Sequence, residues 1–188
     1  MFSIKIKDKI VEHCKIVLET TNFGKRSHSN GTPEQQLRGI VAQSVVQNIC
    51  GFGLVDGKGG FDGGKDLMIG EYSCDVKTMK RTTYPKLDYV GNFPSCQLYL
   101  KTDVLIFTST NIKTDVLTIC GWIPKDEFKE KMISCKKGMA RKRDDGEDFV
   151  PMMDNCEICY KYLRPVYDTD HMMNQIYMAW KPKGEWYE

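Results

Sequence analysis

Apolar residues recur at helical spacing in two segments near the start of the chain. The pattern over residues 6–20 predicts a first helix, with its apolar side formed by Ile10, Val11, Cys14, Val17 and Leu18. Thr32 is expected to cap a second helix, because Pro33 suits a first turn and Gln35 completes a capping box. This helix runs to residue 50, before Gly51, with apolar residues in steps of four: Leu37, Val41, Val45 and Ile49.

Later segments alternate between strand-like and helix-like patterns. Runs of β-branched, aromatic and alternating apolar residues predict strands at 66–69, 72–78, 103–108 and 116–122, and a short strand is expected at 52–55. Residues 80–95 read as irregular. Helices are predicted over 125–135 and around a last apolar stripe, which comprises Met172, Met173, Ile176, Tyr177 and Trp180. The mixed order predicts an α/β or α+β fold.

Length and composition indicate one folded domain. The chain has 188 residues, of which 41% are hydrophobic and 28% charged, so residues 1–188 are expected to form a single domain. A net charge of +2 excludes a strongly cationic nucleic-acid coater. No apolar run approaches the ~18 residues that span a bilayer. Lysines interrupt the N-terminal segment too early for a signal peptide, so we expect a cytoplasmic protein without membrane partners.

The cysteines indicate neither disulfides nor zinc. Eight are present, but the domain is too large to need disulfides and no export signal is seen. Cys156 and Cys159 form a single C-x-x-C pair, whereas a structural zinc site needs four ligands. Reduced thiols that serve as small core residues are the expected state.

A glycine-rich stretch, residues 51–64, ends in a partial phosphate-binding motif. Residues 59–66 nearly match G-x-x-x-x-G-K-[ST], but Asp66 replaces the hydroxyl residue that would hold magnesium. The motif should also open a helix, whereas a hairpin is predicted here. Nucleotide hydrolysis is therefore not expected.

Residues 66–78 form the hairpin on which the functional interpretation depends. Gly70 and Glu71 make a two-residue loop with glycine first, the preference of a type II′ turn. That register sets Asp66 opposite Asp75. Because side chains alternate along a strand, one face is polar and carries Asp66, Met68, Ser73, Asp75 and Lys77. The apolar face carries Leu67, Ile69, Tyr72, Cys74 and Val76.

Two carboxylates so close together repel each other unless a cation lies between them. A hard divalent ion with oxygen ligands is the natural occupant, and Lys77 would stand beside it. Lys77 could then orient an attacking water or stabilise charge on a phosphate. The competing interpretation is an ordinary solvated hairpin face on which Lys77 forms a weak ion pair.

The hairpin follows the helix predicted at 32–50. It offers Asp66 as a first acid and Asp75-Val76-Lys77 as a (D/E)-x-K element. In these residues the chain resembles the PD-(D/E)XK nuclease superfamily. The likeness covers about residues 32–122 and leaves 125–188 as a C-terminal elaboration. It implies a restriction-endonuclease-like αβββαβ core, a central mixed sheet flanked by helices. It also implies divalent-metal hydrolysis of DNA, in which Asp66, Asp75 and the Val76 carbonyl bind Mg²⁺, or Mn²⁺ in its place, and Lys77 acts on the water.

The chain departs from the family pattern in three places. Lys65 stands where the family has proline before the first acid, and Gln43 stands where a helix glutamate often lies near the metal. Glu34 is the alternative helix residue, but nine positions earlier it lies about 180° around the helix, so both cannot face one metal. The helix that should precede the strand at 103–108 is represented at best by residues 96–100.

Charge is segregated towards the end of the chain. Residues 129–143 are strongly basic and residues 144–157 strongly acidic. The basic block could track a phosphate backbone, as could residues beside the hairpin; the expected DNA contacts are Lys65, Lys80, Arg81, Lys136, Lys137, Arg141 and Arg143. An equally weighted alternative is that the basic residues lie on a solvated helix end and loop, where the acidic block neutralises them.

The sequence thus predicts a Mg²⁺-dependent DNA nuclease, with an endonuclease favoured. A nucleic-acid-binding module that does not cut is the alternative, and an interaction protein with an incidental acid pair is the third interpretation. A homodimer would suit double-strand cutting, although no residue indicates one.

Overall fold

The structure is a computed structural model that describes residues 1–21, 31–58, 63–142 and 148–179. These ranges form a mixed α/β fold, as the sequence predicts. The α-helices are α1 Asp8–Thr20, α2 Pro33–Ile49, α3 Lys125–Lys131 and α4 Thr169–Ala179. The first strands are β1 Phe2–Lys5, β2 Leu67–Ile69, β3 Tyr72–Arg81, β4 Val90–Pro94 and β5 Val104–Asn111. The remaining strands are β6 Val116–Pro124, β7 Ile133–Cys135, β8 Arg141–Lys142, β9 Asp148–Phe149 and β10 Asn155–Cys159.

A five-stranded sheet in the order β1-β6-β5-β3-β2 forms the centre. Only β3 and β5 pair in parallel; the other neighbours are antiparallel. Parallel strands need a crossover between them. Here the crossover carries β4 and a short 3₁₀ helix, Ser95–Gln97, and β4 pairs with β10 in a second sheet, β4-β10-β7. Strands β8 and β9 form a separate ribbon.

The predicted capping box starts α2. The Thr32 side chain accepts the Gln35 N–H at 3.2 Å, and the Gln35 side chain accepts the Thr32 N–H at 2.9 Å. Two N-terminal donors of the helix are thereby satisfied by its own side chains.

Two apolar clusters cover the two faces of the central sheet. Helices α1, α2 and α4 pack on one face, with Cys14, Val45, Cys74, Val76 and Ile106 among the buried residues. The second sheet and α3 pack on the other face, where Phe93, Leu105, Phe107, Phe128 and Ile158 are buried. Since side chains alternate along β3, Asp75 and Lys77 belong to the second face.

The prediction of a strand at residues 52–55 is wrong. Gly51 and Gly53 take positive φ values of 85° and 83°, which interrupt an extended run. The Val55 N–H is satisfied by the Ser44 hydroxyl at 3.3 Å and not by a neighbouring strand.

Three other boundaries also differ. The first helix begins at Asp8, because residues 2–5 pair with β6 as strand β1. The helix expected over 125–135 ends at Lys131, since residues 133–135 pair with β10. Residues 80–95 are less irregular than expected, because they contain the end of β3 and all of β4. In each case a partner distant in sequence decides the outcome.

The eight cysteines all lie within the described ranges and carry free thiols; seven are buried. Within the described ranges, the helices are too short or too polar to cross a bilayer. Trp180, expected to complete the apolar stripe of α4, lies outside the described residues.

We expect Gly91→Ala to lower the free energy of unfolding by about 1–3 kcal/mol. A Cβ at Gly91 would stand 2.4 Å from Phe107 Cδ1 and 3.0 Å from Tyr160 Cε1, inside the second cluster. Gly39→Ala is the matched control, because no atom lies within 4 Å of its Cβ position in α2. This change should stabilise the protein by about 0.5–1 kcal/mol. Urea unfolding measures both, and equal values for the two variants would contradict this packing.

Candidate active site at the hairpin

The predicted hairpin register is confirmed. Strands β2 and β3 pair Leu67 with Cys74, Met68 with Ser73 and Ile69 with Tyr72. Gly70 has φ 60°, which the first central position of a type II′ turn requires. The recorded pairing ends at Leu67 and Cys74, and Asp66 lies directly before β2; its position opposite Asp75 stays a prediction.

Asp75 is a buried acid, with only 1% of its surface exposed. Its Oδ1 accepts a hydrogen bond from Lys77 Nζ at 2.5 Å, whereas its Oδ2 is buried and has no hydrogen-bond partner among the described residues. The Lys77 side chain is 19% exposed, and its ammonium lies 5.3 Å from the centre of the Phe93 ring. A buried carboxylate needs such a cation, but this one still leaves an oxygen available.

Asp66 lies at the open edge of β3. Its Oδ2 accepts the Val76 N–H at 2.6 Å, so the carboxylate continues the ladder where β2 has ended. The Lys77 carbonyl accepts from the Thr108 hydroxyl at 3.2 Å on the β5 side. The backbone N–H and C=O groups of one strand residue point to the same edge, and those of the next residue point to the opposite edge. The Val76 carbonyl therefore faces the same edge as Asp66. The Asp66 carboxylate and the Val76 carbonyl therefore share the open edge of β3, one residue away from Asp75 along the strand.

Gly64 brings the loop backbone close to this group. Its φ is 84°, and a Cβ there would lie 3.1 Å from Leu100 Cδ1 and 3.6 Å from Asp75 Oδ2. Only glycine combines that backbone conformation with so close an approach. Residues 59–62 of the glycine-rich stretch lie outside the described residues.

Lys125 is a site residue that sequence reasoning missed. It opens α3, is 3% exposed, and donates from Nζ to the Leu100 carbonyl and, at 3.5 Å, to the Gln97 carbonyl. Burial lowers the pKa of Lys125, and the nearby Asp75 carboxylate opposes that shift. Nothing local in the sequence distinguishes this lysine from the exposed ones of α3.

Of the two helix candidates, neither makes a contact to Asp75 that the structure records. Gln43 is half-buried on α2; one turn later, the Gln47 side chain donates to the Asp66 carbonyl. Gln47 could have been identified from the sequence by its i, i+4 spacing from Gln43, because residues so spaced are neighbours on one side of a helix. Glu34 is paired elsewhere, at 2.5 Å from Arg38 and 3.0 Å from Lys80.

The hydrogen bond from Lys80 lowers the pKa of Glu34. Lys80 is five residues beyond Asp75 on β3, which corresponds to about 16 Å at ~3.3 Å per residue. This spacing places Glu34 far from Asp75 along the strand.

The basic residues expected to contact DNA divide into two groups. Lys65 is exposed beside Asp66. Arg81 is half-buried: its guanidinium lies 4.5 Å from the centre of the Tyr89 ring and donates to the Val90 carbonyl at 2.7 Å. Arg81 and the Glu34-bound Lys80 therefore make internal contacts.

The basic block after α3 folds against acidic residues. Lys136 lies 2.9 Å from Asp154, whose other oxygen accepts the Lys137 N–H at 3.0 Å. Arg141 lies 3.2 Å from the fully buried Glu157. These contacts agree with the interpretation in which the acidic segment neutralises the basic block. Arg143 lies outside the described residues.

A cluster of three or more His, Cys, Asp or Glu side chains suited to a metal does not occur within the described ranges. The hairpin offers two carboxylates and one carbonyl instead. Comparisons with known protein families, with curated proteins and with solved structures find no match.

We expect Gln47→Ala to lower the free energy of unfolding by about 0.5–1.5 kcal/mol, because the Asp66 carbonyl loses its donor. Gln43→Ala on the same side of α2 is the matched control and should change it by less. Urea unfolding distinguishes them. A larger loss for Gln43→Ala would mean that the earlier residue supports the hairpin.

Proposed function

We propose that this protein is a divalent-metal-dependent nuclease that hydrolyses phosphodiester bonds in DNA, acting as an endonuclease. One observation supports this most strongly. Asp75 is buried next to Lys77, with one carboxylate oxygen paired at 2.5 Å and the other without a partner among the described residues. A purely structural ion pair would be expected to satisfy both oxygens.

The donor set around β2 fits Mg²⁺ or Mn²⁺. Asp66, Asp75 and the Val76 carbonyl would hold the ion, since hard divalent cations take carboxylate and carbonyl oxygens. Water would complete the coordination, as is usual for Mg²⁺. The chemistry that such an ion supplies is Lewis acidity towards a water molecule and a phosphate oxygen.

Lys77 would work at the mouth of this site. Its ammonium bonds Asp75 and is still 19% exposed, so it can reach a group that enters from solvent. There it would orient the attacking water and stabilise negative charge that develops on the phosphate. The buried Phe93 ring lies 5.3 Å from the same ammonium.

The restriction-endonuclease-like core is part of the proposal. Its support is the order of elements: helix α2, the acid-bearing hairpin β2–β3, a crossover, and then β5 parallel to β3. Two features differ from the αβββαβ pattern. The crossover carries only a 3₁₀ helix, Ser95–Gln97, in place of its second α-helix, and β4 joins the second sheet.

DNA binding would depend on few side chains. Lys80, Lys136 and Arg141 are engaged with acids, whereas Lys65 is exposed next to Asp66. With a net charge of +2, the protein has little general attraction for DNA. We therefore expect binding to depend only weakly on salt, because few phosphates are neutralised by side chains, and to strengthen with metal.

The direct test is cleavage of plasmid and single-stranded DNA with Mg²⁺ or Mn²⁺. Asp75→Ala and Lys77→Ala should each lower the rate by at least about 10²-fold, because a ligand or a group that acts on the nucleophile is lost. The matched controls are Lys5→Ala and Asp115→Asn, which remove an exposed ion pair on the far edge of the sheet, 3.8 Å apart. Both should cut at the wild-type rate.

Three other results would contradict this proposal or its site. DNA binding without cutting, unaltered by both site substitutions, would favour the binding module. Cleavage that survives in Asp75→Ala would place the activity elsewhere. Neither binding nor cutting at low salt would exclude both nucleic-acid functions.

A further inference from the structure

A second buried ammonium lies beside the proposed site, and the chemistry above does not use it. Lys125 is 3% exposed and directs Nζ to the carbonyls of Leu100 and Gln97. Its own backbone N–H donates to the Asp103 carbonyl at 2.9 Å, which ties the start of α3 to the start of β5. An ammonium buried in this way must be offset by negative or dipolar partners.

Contacts lead from Lys125 to the unpartnered oxygen of Asp75. Leu100, whose carbonyl holds the Lys125 ammonium, packs towards Gly64 at 3.1 Å from its Cβ position. That same position lies 3.6 Å from Asp75 Oδ2. We call residues 97–100 the wall of the site, because Lys125 Nζ holds a carbonyl at each end of this segment and the Leu100 side chain lies next to Gly64, beside Asp75.

The two lysines also share an aromatic ring. The Lys77 ammonium lies 5.3 Å and the Lys125 ammonium 5.7 Å from the centre of the Phe93 ring. Asp75 is thus faced by two ammonium groups in a largely buried place. An electrostatic attraction between Asp75 and Lys125 partly offsets the loss of hydration of the lysine. A divalent cation beside Asp75 would be repelled by both lysines.

We infer that Lys125 is a positioning residue of the Asp66–Asp75–Lys77 site, which fixes the wall at residues 97–100 and whose charge weakens divalent-cation binding at Asp75. The inference rests on the proposed function. The Lys125 charge would lower the affinity of the site for a divalent cation, so that the ion can exchange while Asp75 stays ionised.

The test is calorimetric titration of Mn²⁺ into the full chain. Lys125→Gln keeps an amide donor for the carbonyls but removes the charge, and it should bind Mn²⁺ about 3- to 10-fold more tightly, as expected for one unit charge acting on a divalent ion. Lys125→Arg keeps the charge and should stay within about twofold of wild type. Lys129→Gln, one turn along α3 at a lysine 46% exposed, is the matched control and should also stay within about twofold.

A role confined to packing predicts the opposite sign, because a displaced wall would weaken the site. Unchanged or weaker Mn²⁺ binding by Lys125→Gln, with wild-type binding intact, would therefore overturn this inference and leave the proposed function standing. Absence of Mn²⁺ binding by the wild-type chain would overturn both.

Wild-type protein provides a second measurement if Lys125→Gln does not fold. With ¹³Cε-labelled lysine, substoichiometric Mn²⁺ should broaden the signals of Lys77 and Lys125 before that of Lys129. Equal broadening of Lys125 and Lys129 would overturn the inference.

Discussion

The burial of one carboxylate constrains the whole arrangement. Asp75 lies within the central sheet under the second apolar cluster, where an isolated negative charge would be very costly. Lys77 offsets that cost through a 2.5 Å hydrogen bond, and both side chains must leave β3 on the same face to do so. Gly64 approaches the pair closely, and the crossover between β3 and β5 supplies Phe93, whose ring lies 5.3 Å from the Lys77 ammonium.

The crossover between β3 and β5 supplies the groups that surround the Asp75–Lys77 ion pair. In this segment the Gln97 and Leu100 carbonyls accept hydrogen bonds from the Lys125 ammonium. Strand β4 also supplies Phe93, whose ring lies against both ammonium groups. Two ammonium groups thus lie near Asp75, whose buried Oδ2 has no hydrogen-bond partner among the described residues.

Local sequence rules were enough for the parts of the site that lie close in the chain. The Gly70 turn and the strict alternation of β3 determine the register, so Asp75 and Lys77 could be assigned to one face from the amino-acid order alone. Lys125 and Gln47 could not, because each reaches the hairpin from another element. The second sheet was missed for the same reason: β4 and β10 are far apart in sequence, and neither has a strong pattern of its own.

The most direct measurement of the central claim is Mn²⁺ binding by the wild-type chain, Asp66→Asn and Asp75→Asn, followed by isothermal titration calorimetry. Both substitutions keep the size of the side chain and remove only a charge and an acceptor. Our account predicts binding at a single site in the wild type and a loss of at least about tenfold in affinity in each variant, as expected for a lost ligand. Undiminished Mn²⁺ binding by Asp75→Asn would contradict it.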